Sequence, residues 1–124
     1  MPNLQLSLKK QWFDLTKSGV KTEDYREITP YWYQRLILTD STLRQLEIWI
    51  SINTDYKIKQ FVEKWEGFKK FESNIMTLGY PKSTDSERIL KLEHKGIEIR
   101  TGNPEWGAEP NKLYFVIKHG SFLA

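Results

Sequence analysis

Three closely spaced side chains carry most of the chemistry this chain could do. They are Lys21, Asp24 and Arg26, within the stretch Gly19-Val20-Lys21-Thr22-Glu23-Asp24-Tyr25-Arg26-Glu27. On a strand, residues two apart share a face, so Asp24 and Arg26 are neighbours and can pair. A carboxylate that grips a guanidinium holds its fork in one orientation, which suits recognition of a phosphate or a base edge. Strict alternation groups Lys21 with Glu23, Tyr25 and Glu27. Lys21 lies at the turn, however, where alternation is least reliable and the side chain can still enter the same cleft. Spacing alone fits equally well a charged edge strand that resists aggregation.

Positioning these groups takes a strand, a helix and a turn. Leu4, Leu6 and Leu8 alternate with Gln5, Ser7 and Lys9, the pattern of a half-buried strand. Residues 11–18 place Trp12, Phe13, Leu15 and Thr16 at helical spacing, and Gly19 is suited to stop that helix. The charged strand then spans about 20–28, and Pro30 opens a helical turn with Tyr31, Trp32 and Tyr33. Residues 40–66 read as mainly helical. Asp40 or Ser41 can cap a first segment, although Ile48, Ile50 and Ile52 also alternate like a strand. Asp55 caps a clearer helix in which Ile58, Phe61, Val62 and Trp65 share a face, ended by Gly67. From there the pattern is β: 68–78, a turn at Gly79-Tyr80-Pro81, 88–94, a bulge or turn at Gly96, Ile97 to Arg100, and 112–118. The expected fold class is α+β, a small mixed β-barrel flanked by short helices in a single domain spanning 1–124.

The loop before the last strand, 101–111, holds two Pro and two Gly and is therefore shaped. Its Trp106 can stack on a base or another flat ligand, or simply cap the open end of a barrel. Tyr31, Trp32 and Tyr33 read as core or barrel mouth.

Composition narrows the function classes. Aromatic residues at 14% and charged residues at 28% fit a globular chain with its own core, and a net charge of +3 permits an anionic partner without making a polycation. With no cysteine there are no disulfides, thiol chemistry or zinc ribbons. His94 and His119 alone cannot build a zinc site and have no sequence neighbours suggestive of a triad. A phosphate-binding glycine loop is also missing. No metal or cofactor is expected. No apolar run approaches the roughly 20 residues of a membrane helix, and the N-terminus lacks the apolar core of a signal peptide. A cytoplasmic protein without a membrane partner is the expectation, and the pattern is neutral on oligomeric state.

Leu6-Ser7-Leu8-Lys9, then a helix, then Gly19-x-Lys21-x-x-Asp24-x-Arg26 resemble the ASCH domain family of the PUA-like superfamily. That family's signature is Gly-x-Lys-x-x-Glu-x-Arg after a first strand that often ends in Lys. The segments from Gly96 to Gly102, from Asn103 to Gly107 and from Tyr114 to Lys118 are similar to a subgroup of small bacterial and phage ASCH-like proteins. In that frame 40–66 is a helical insertion. The resemblance implies a PUA-like barrel with a cleft lined by Lys9, Lys21, Asp24 and Arg26. It also implies RNA or a (modified) nucleoside or nucleotide as the ligand, for which Trp106 is a candidate stacking residue.

Some small members of the family are amidohydrolases that remove the acetyl group from N4-acetylcytidine, using a Lys matching Lys21, a Thr at the position of Asp24, and a Glu elsewhere. Here Asp24 replaces that Thr, and Thr22 has the wrong offset. An enzyme built from Lys21 and Asp24 would use Asp24 as general base on water, with Lys21 or Arg26 stabilising the oxyanion. A carboxylate locked to Arg26 would be a poor base. Binding is therefore the first expectation, amidohydrolysis the alternative, and protein interaction through 40–66 a third reading.

Overall fold

A computed structural model describes residues 2–37, 59 and 67–123. The strands are β1 (Leu4–Leu8), β2 (Glu23–Arg26), β3 (Ser73–Leu78), β4 (Ile89–Thr101) and β5 (Leu113–Phe122). Helix α1 (Lys10–Lys17) joins β1 to β2, and α2 (Pro30–Leu36) follows β2. The strands form one sheet in the order β1-β3-β4-β5-β2. β1 runs parallel to β3 and every other pairing is antiparallel. The class is α+β, with the sheet curled into a half-barrel.

Local sequence explains most of the element ends. Leu4, Leu6 and Leu8 are buried on one face of β1, as their alternation requires. α1 stops at Gly19, whose φ of 83° is readily adopted only by glycine. Pro30 opens α2, and the Thr29 hydroxyl accepts a hydrogen bond from the Trp32 N–H at 3.5 Å.

Several expected boundaries move, each for a visible reason. The charged strand is shorter than 20–28. The Val20 and Lys21 N–H groups both donate to the Leu15 carbonyl, at 3.2 and 3.1 Å, so these residues belong to the turn that ends α1. The strand expected over 68–78 begins only at Ser73, and Phe68 instead forms an isolated bridge with Ile37. Gly96 is a bulge, not a turn: β4 continues through it while its register against β5 shifts on either side of His94. β5 runs on to Phe122, past the expected end at 118. The helical insertion expected at about 40–66 lies outside the described residues, apart from Lys59.

The sheet buries both of its faces to different extents. The main core gathers Leu6, Phe13, Tyr33, Leu36, Met76, Ile99, Phe115 and Ile117. The other face of β5 offers Tyr114 and Val116, which pack with Ala108 and half-buried Tyr25. No helix among the described residues is long and apolar enough to cross a membrane.

Curling brings the two end strands of the sheet within reach of a single side chain. Arg26 of β2 donates from Nη2 to the Ser7 carbonyl of β1 at 2.9 Å. Its Nε donates to Asp24 Oδ2 at 2.6 Å, so one guanidinium fork is held at both ends. Arg26→Lys keeps the charge but cannot span both acceptors. We expect it to lower unfolding stability by about 1.5–3 kcal/mol, the range for hydrogen bonds to charged groups. A urea midpoint equal to that of the wild type would remove the seam-closing role.

Candidate functional site

The turn that ends α1 delivers Lys21 into the protein, against strict alternation. Its Nζ donates to the Glu23 carbonyl at 2.6 Å and lies 3.4 Å from Asp24 Oδ1. The Lys21 side chain is 1% exposed and that of Asp24 7%. Burial pulls the Lys21 ammonium below its ordinary pKa, and the Asp24 carboxylate opposes that pull without cancelling it. Asp24 therefore serves two cations at once, Lys21 on Oδ1 and Arg26 on Oδ2. The Arg26 guanidinium also lies over the Trp32 ring, 4.9 Å from its centre.

Beside this pair is a cavity of about 240 Å³. Trp12, Tyr25, Trp106 and Tyr114 give it aromatic walls, Lys21 and Asp24 line it, and exposed Glu27 and Glu109 complete its charge. Two phenols hold the loop that carries Trp106. The Tyr25 hydroxyl accepts from the Asn103 N–H at 2.8 Å and donates to Glu23 at 2.7 Å, and the Tyr114 hydroxyl accepts from the Glu109 N–H at 2.9 Å. Burial, with Glu23 adding to it, raises the Tyr25 hydroxyl well above an ordinary phenol. Burial also pushes Glu23 upward, but its bonds to Arg100 and Tyr25 outweigh this and keep it below the usual carboxylate range.

Glycines let the loop sit this close. A Cβ on Gly102 would fall 2.6 Å from a Tyr25 ring carbon, and one on Gly107, at φ 98°, would fall 2.8 Å from the Trp12 ring. Trp106 itself sits on a short 3₁₀ turn, Pro104–Trp106, whose start is capped by the Asn103 side chain.

The structure thus brings Lys21, Asp24 and Trp106 to one cavity. Arg26, across the ion pair from Asp24, lines a second one of about 330 Å³. Lys9 is exposed, precedes α1, and lines neither.

Sequence reasoning set the histidines aside, yet they converge close behind the site. Asn74 of β3 accepts at Oδ1 from His94 Nδ1 across 2.7 Å, as the amide and ring are oriented here, and its Nδ2 faces His119 Nδ1 at 3.4 Å. His119 is 7% exposed, and its Nε2 has no hydrogen-bond partner among the described residues. The Lys21 backbone is near enough to favour a protonated ring, but not in a geometry that completes a bond. Burial lowers the His119 pKa to about 4, with the Asp24 and Glu23 charges opposing this and Lys21 reinforcing it. Burial alone lowers His94. The only sequence hint of this meeting is Gly96, whose bulge helps set the register that pairs His94 with His119.

No family model, curated protein or solved structure matches this chain. The ASCH resemblance therefore rests on its motif and on the placement of that motif after a strand and a helix. The geometry itself speaks about chemistry. Both Asp24 oxygens are engaged, Lys21 is committed to a carbonyl and a carboxylate, and among the described residues no aliphatic hydroxyl lines the Trp106 cavity. Among the described residues no three His, Cys, Asp or Glu side chains gather as metal ligands would.

His119 makes the fold acid-sensitive in a defined window. Its folded pKa of about 4 lies below the ordinary 6.5, so the unfolded chain binds more protons between those values. Its contribution is fully present above pH 6.5 and is lost as pH falls toward 4, to a total on the order of 3 kcal/mol. Carboxylates held low, such as Glu23 and Glu98, add their own losses near and below their ordinary 4.5. Comparing urea midpoints of wild type and His119→Gln from pH 7 to 4 isolates the histidine. The wild type is expected to lose more stability over that range, and parallel curves would exclude the assignment.

Proposed function

We propose that this chain is an ASCH-like module with a PUA-like barrel that binds one nucleobase, free as a nucleoside or within RNA, in the Trp106 cavity. The observation that carries this reading is the joining of aromatic walls to a buried, oriented Lys21–Asp24 pair. A flat ring between Trp106 and its neighbours gains stacking energy, and the third Lys21 N–H and the second lone pair of each Asp24 oxygen, left over by their internal bonds, can meet a base edge. At about 240 Å³ the cavity falls below the roughly 300–1,000 Å³ of drug-sized pockets, which suits a single base. Lys21 is bound to Asp24, and Lys112 pairs with Glu27 at 2.8 Å and lies 3.9 Å from Glu109, so the cavity has no surplus cation for a bare phosphate and favours an uncharged ring bearing amino groups. A cytoplasmic setting, where RNA and nucleosides are plentiful, goes with this reading.

The amidohydrolase alternative needs Asp24 to activate a water. Asp24 Oδ2 takes the Arg26 Nε at 2.6 Å and Oδ1 faces Lys21 at 3.4 Å, so neither oxygen is left wholly to a water. The reading of 40–66 as an interaction module falls outside the described residues.

Tryptophan fluorescence titrations with the four ribonucleosides and N4-acetylcytidine test the base site. At least one is expected to bind, and Trp106→Ala is expected to weaken it about tenfold, within the 1–3 kcal/mol of one base–aromatic stack. Equal affinities in wild type and variant would exclude the Trp106 cavity as the base site. Chromatography of the N4-acetylcytidine sample is expected to show no cytidine. Turnover abolished by both Lys21→Ala and Asp24→Asn would establish the hydrolase instead.

A further inference from the structure

The second cavity has the opposite chemistry to the first. Two guanidiniums, Arg26 and Arg35, line its roughly 330 Å³, and among the described residues no carboxylate does. Tyr31, Trp32 and Tyr80 supply its aromatic surface. Each arginine lies against a ring. Arg26 is 4.9 Å from the centre of Trp32, and Arg35 is 3.6 Å from the centre of Tyr31. A guanidinium laid on a ring is held in place while its edge N–H groups stay available to an anion.

Neither fork is used up. Arg26 engages Asp24 through Nε and Ser7 through Nη2. Arg35 makes one bond of 3.3 Å from Nη1 to the Tyr31 carbonyl, and pairs with no carboxylate among the described residues. Tyr80 is 96% exposed and Tyr31 55%, so packing does not account for placing these rings beside two cations. A phosphate meets the cationic half of this lining, and a sugar or a neighbouring base attached to it meets the aromatic half.

One ion pair links the two linings, with Asp24 in the first and Arg26 in the second, 2.6 Å apart. A base in the acidic cavity would thus have a cationic one next to it. We propose that the Arg26–Arg35 cavity holds a phosphate of a nucleotide, so that the ligand is a phosphate-bearing nucleotide or short RNA strand and not a free nucleoside. This deepens the reading of the Trp106 cavity and rests on it.

Calorimetric titration of the full chain separates the two claims. The probes are ribonucleosides, the matching 3′,5′-bisphosphates, which carry a phosphate on either side of the base, and inorganic phosphate. The proteins are wild type, Arg35→Ala, Arg35→Lys and Trp106→Ala, each checked for folding by circular dichroism. A bisphosphate is expected to bind wild type about tenfold tighter than its nucleoside. Arg35→Ala is expected to erase that advantage and to flatten the dependence of bisphosphate affinity on salt, because a screened ion pair is lost. Arg35→Lys is expected to restore part of it, since charge returns without the fork.

A nucleoside and its bisphosphate that bind equally, or an advantage that survives Arg35→Ala, would overturn the phosphate site and leave the base cavity standing. Inorganic phosphate binding as tightly as the bisphosphates would overturn the claim of a nucleotide. Bisphosphates that bind through Arg35 but ignore Trp106→Ala would overturn the base cavity alone. Absence of binding by every probe would overturn both.

Discussion

The structure turns on the guanidinium of Arg26, which links the last strand of the sheet to the first. A curled sheet that stops short of closure leaves two unpaired edges, and backbone carbonyls at such an edge must find donors elsewhere. The Ser7 carbonyl finds one in Arg26, and Asp24 fixes the other end of that fork. Because Asp24 also holds Lys21, the seam and the candidate site share one carboxylate. Removing that carboxylate would strand two cations, one of them in the interior. Losses of this kind are large because the remaining charge is left without a partner.

Around this pivot the sheet uses its two faces for different work. One face carries the main core, with Phe13, Tyr33, Met76, Phe115 and Ile117. The outer face, with Tyr25, Tyr114 and Val116, anchors the loop that carries Trp106. Tyr25 and Tyr114 each add a packed ring and a hydrogen-bonded hydroxyl, so the loop is fixed by apolar contact and by polar bonds together.

Much of this was legible in the order of the residues. Alternation located β1, the glycine after α1 located its end, and the two-residue spacing of Asp24 and Arg26 foretold their ion pair. What escaped depends on distances that no local pattern encodes. Lys21 turns inward because Leu15 captures its N–H, which pulls it out of the strand and off the alternation rule. The Arg26–Ser7 bond joins residues 19 apart and exists only because the sheet curls. His94 and His119 meet through Asn74 by way of a bulged register, so neither looks partnered when its own neighbours are read. Lys9 shows the reverse. The family pattern assigns it to the cleft, while the turn into α1 leaves it in solvent outside both cavities.

The glycines of the Trp106 loop have a consequence for how fast the proposed ligand would be taken up. At Gly102 and Gly107 there is no room even for a methyl group, so the loop lies directly on Tyr25 and Trp12 before anything binds. A receptor already in its bound shape loses little conformational freedom on association and has no slow closing step to wait for. Uptake at such a site is governed by diffusion and by the fields of nearby charges, and selectivity is expressed in how long the guest stays.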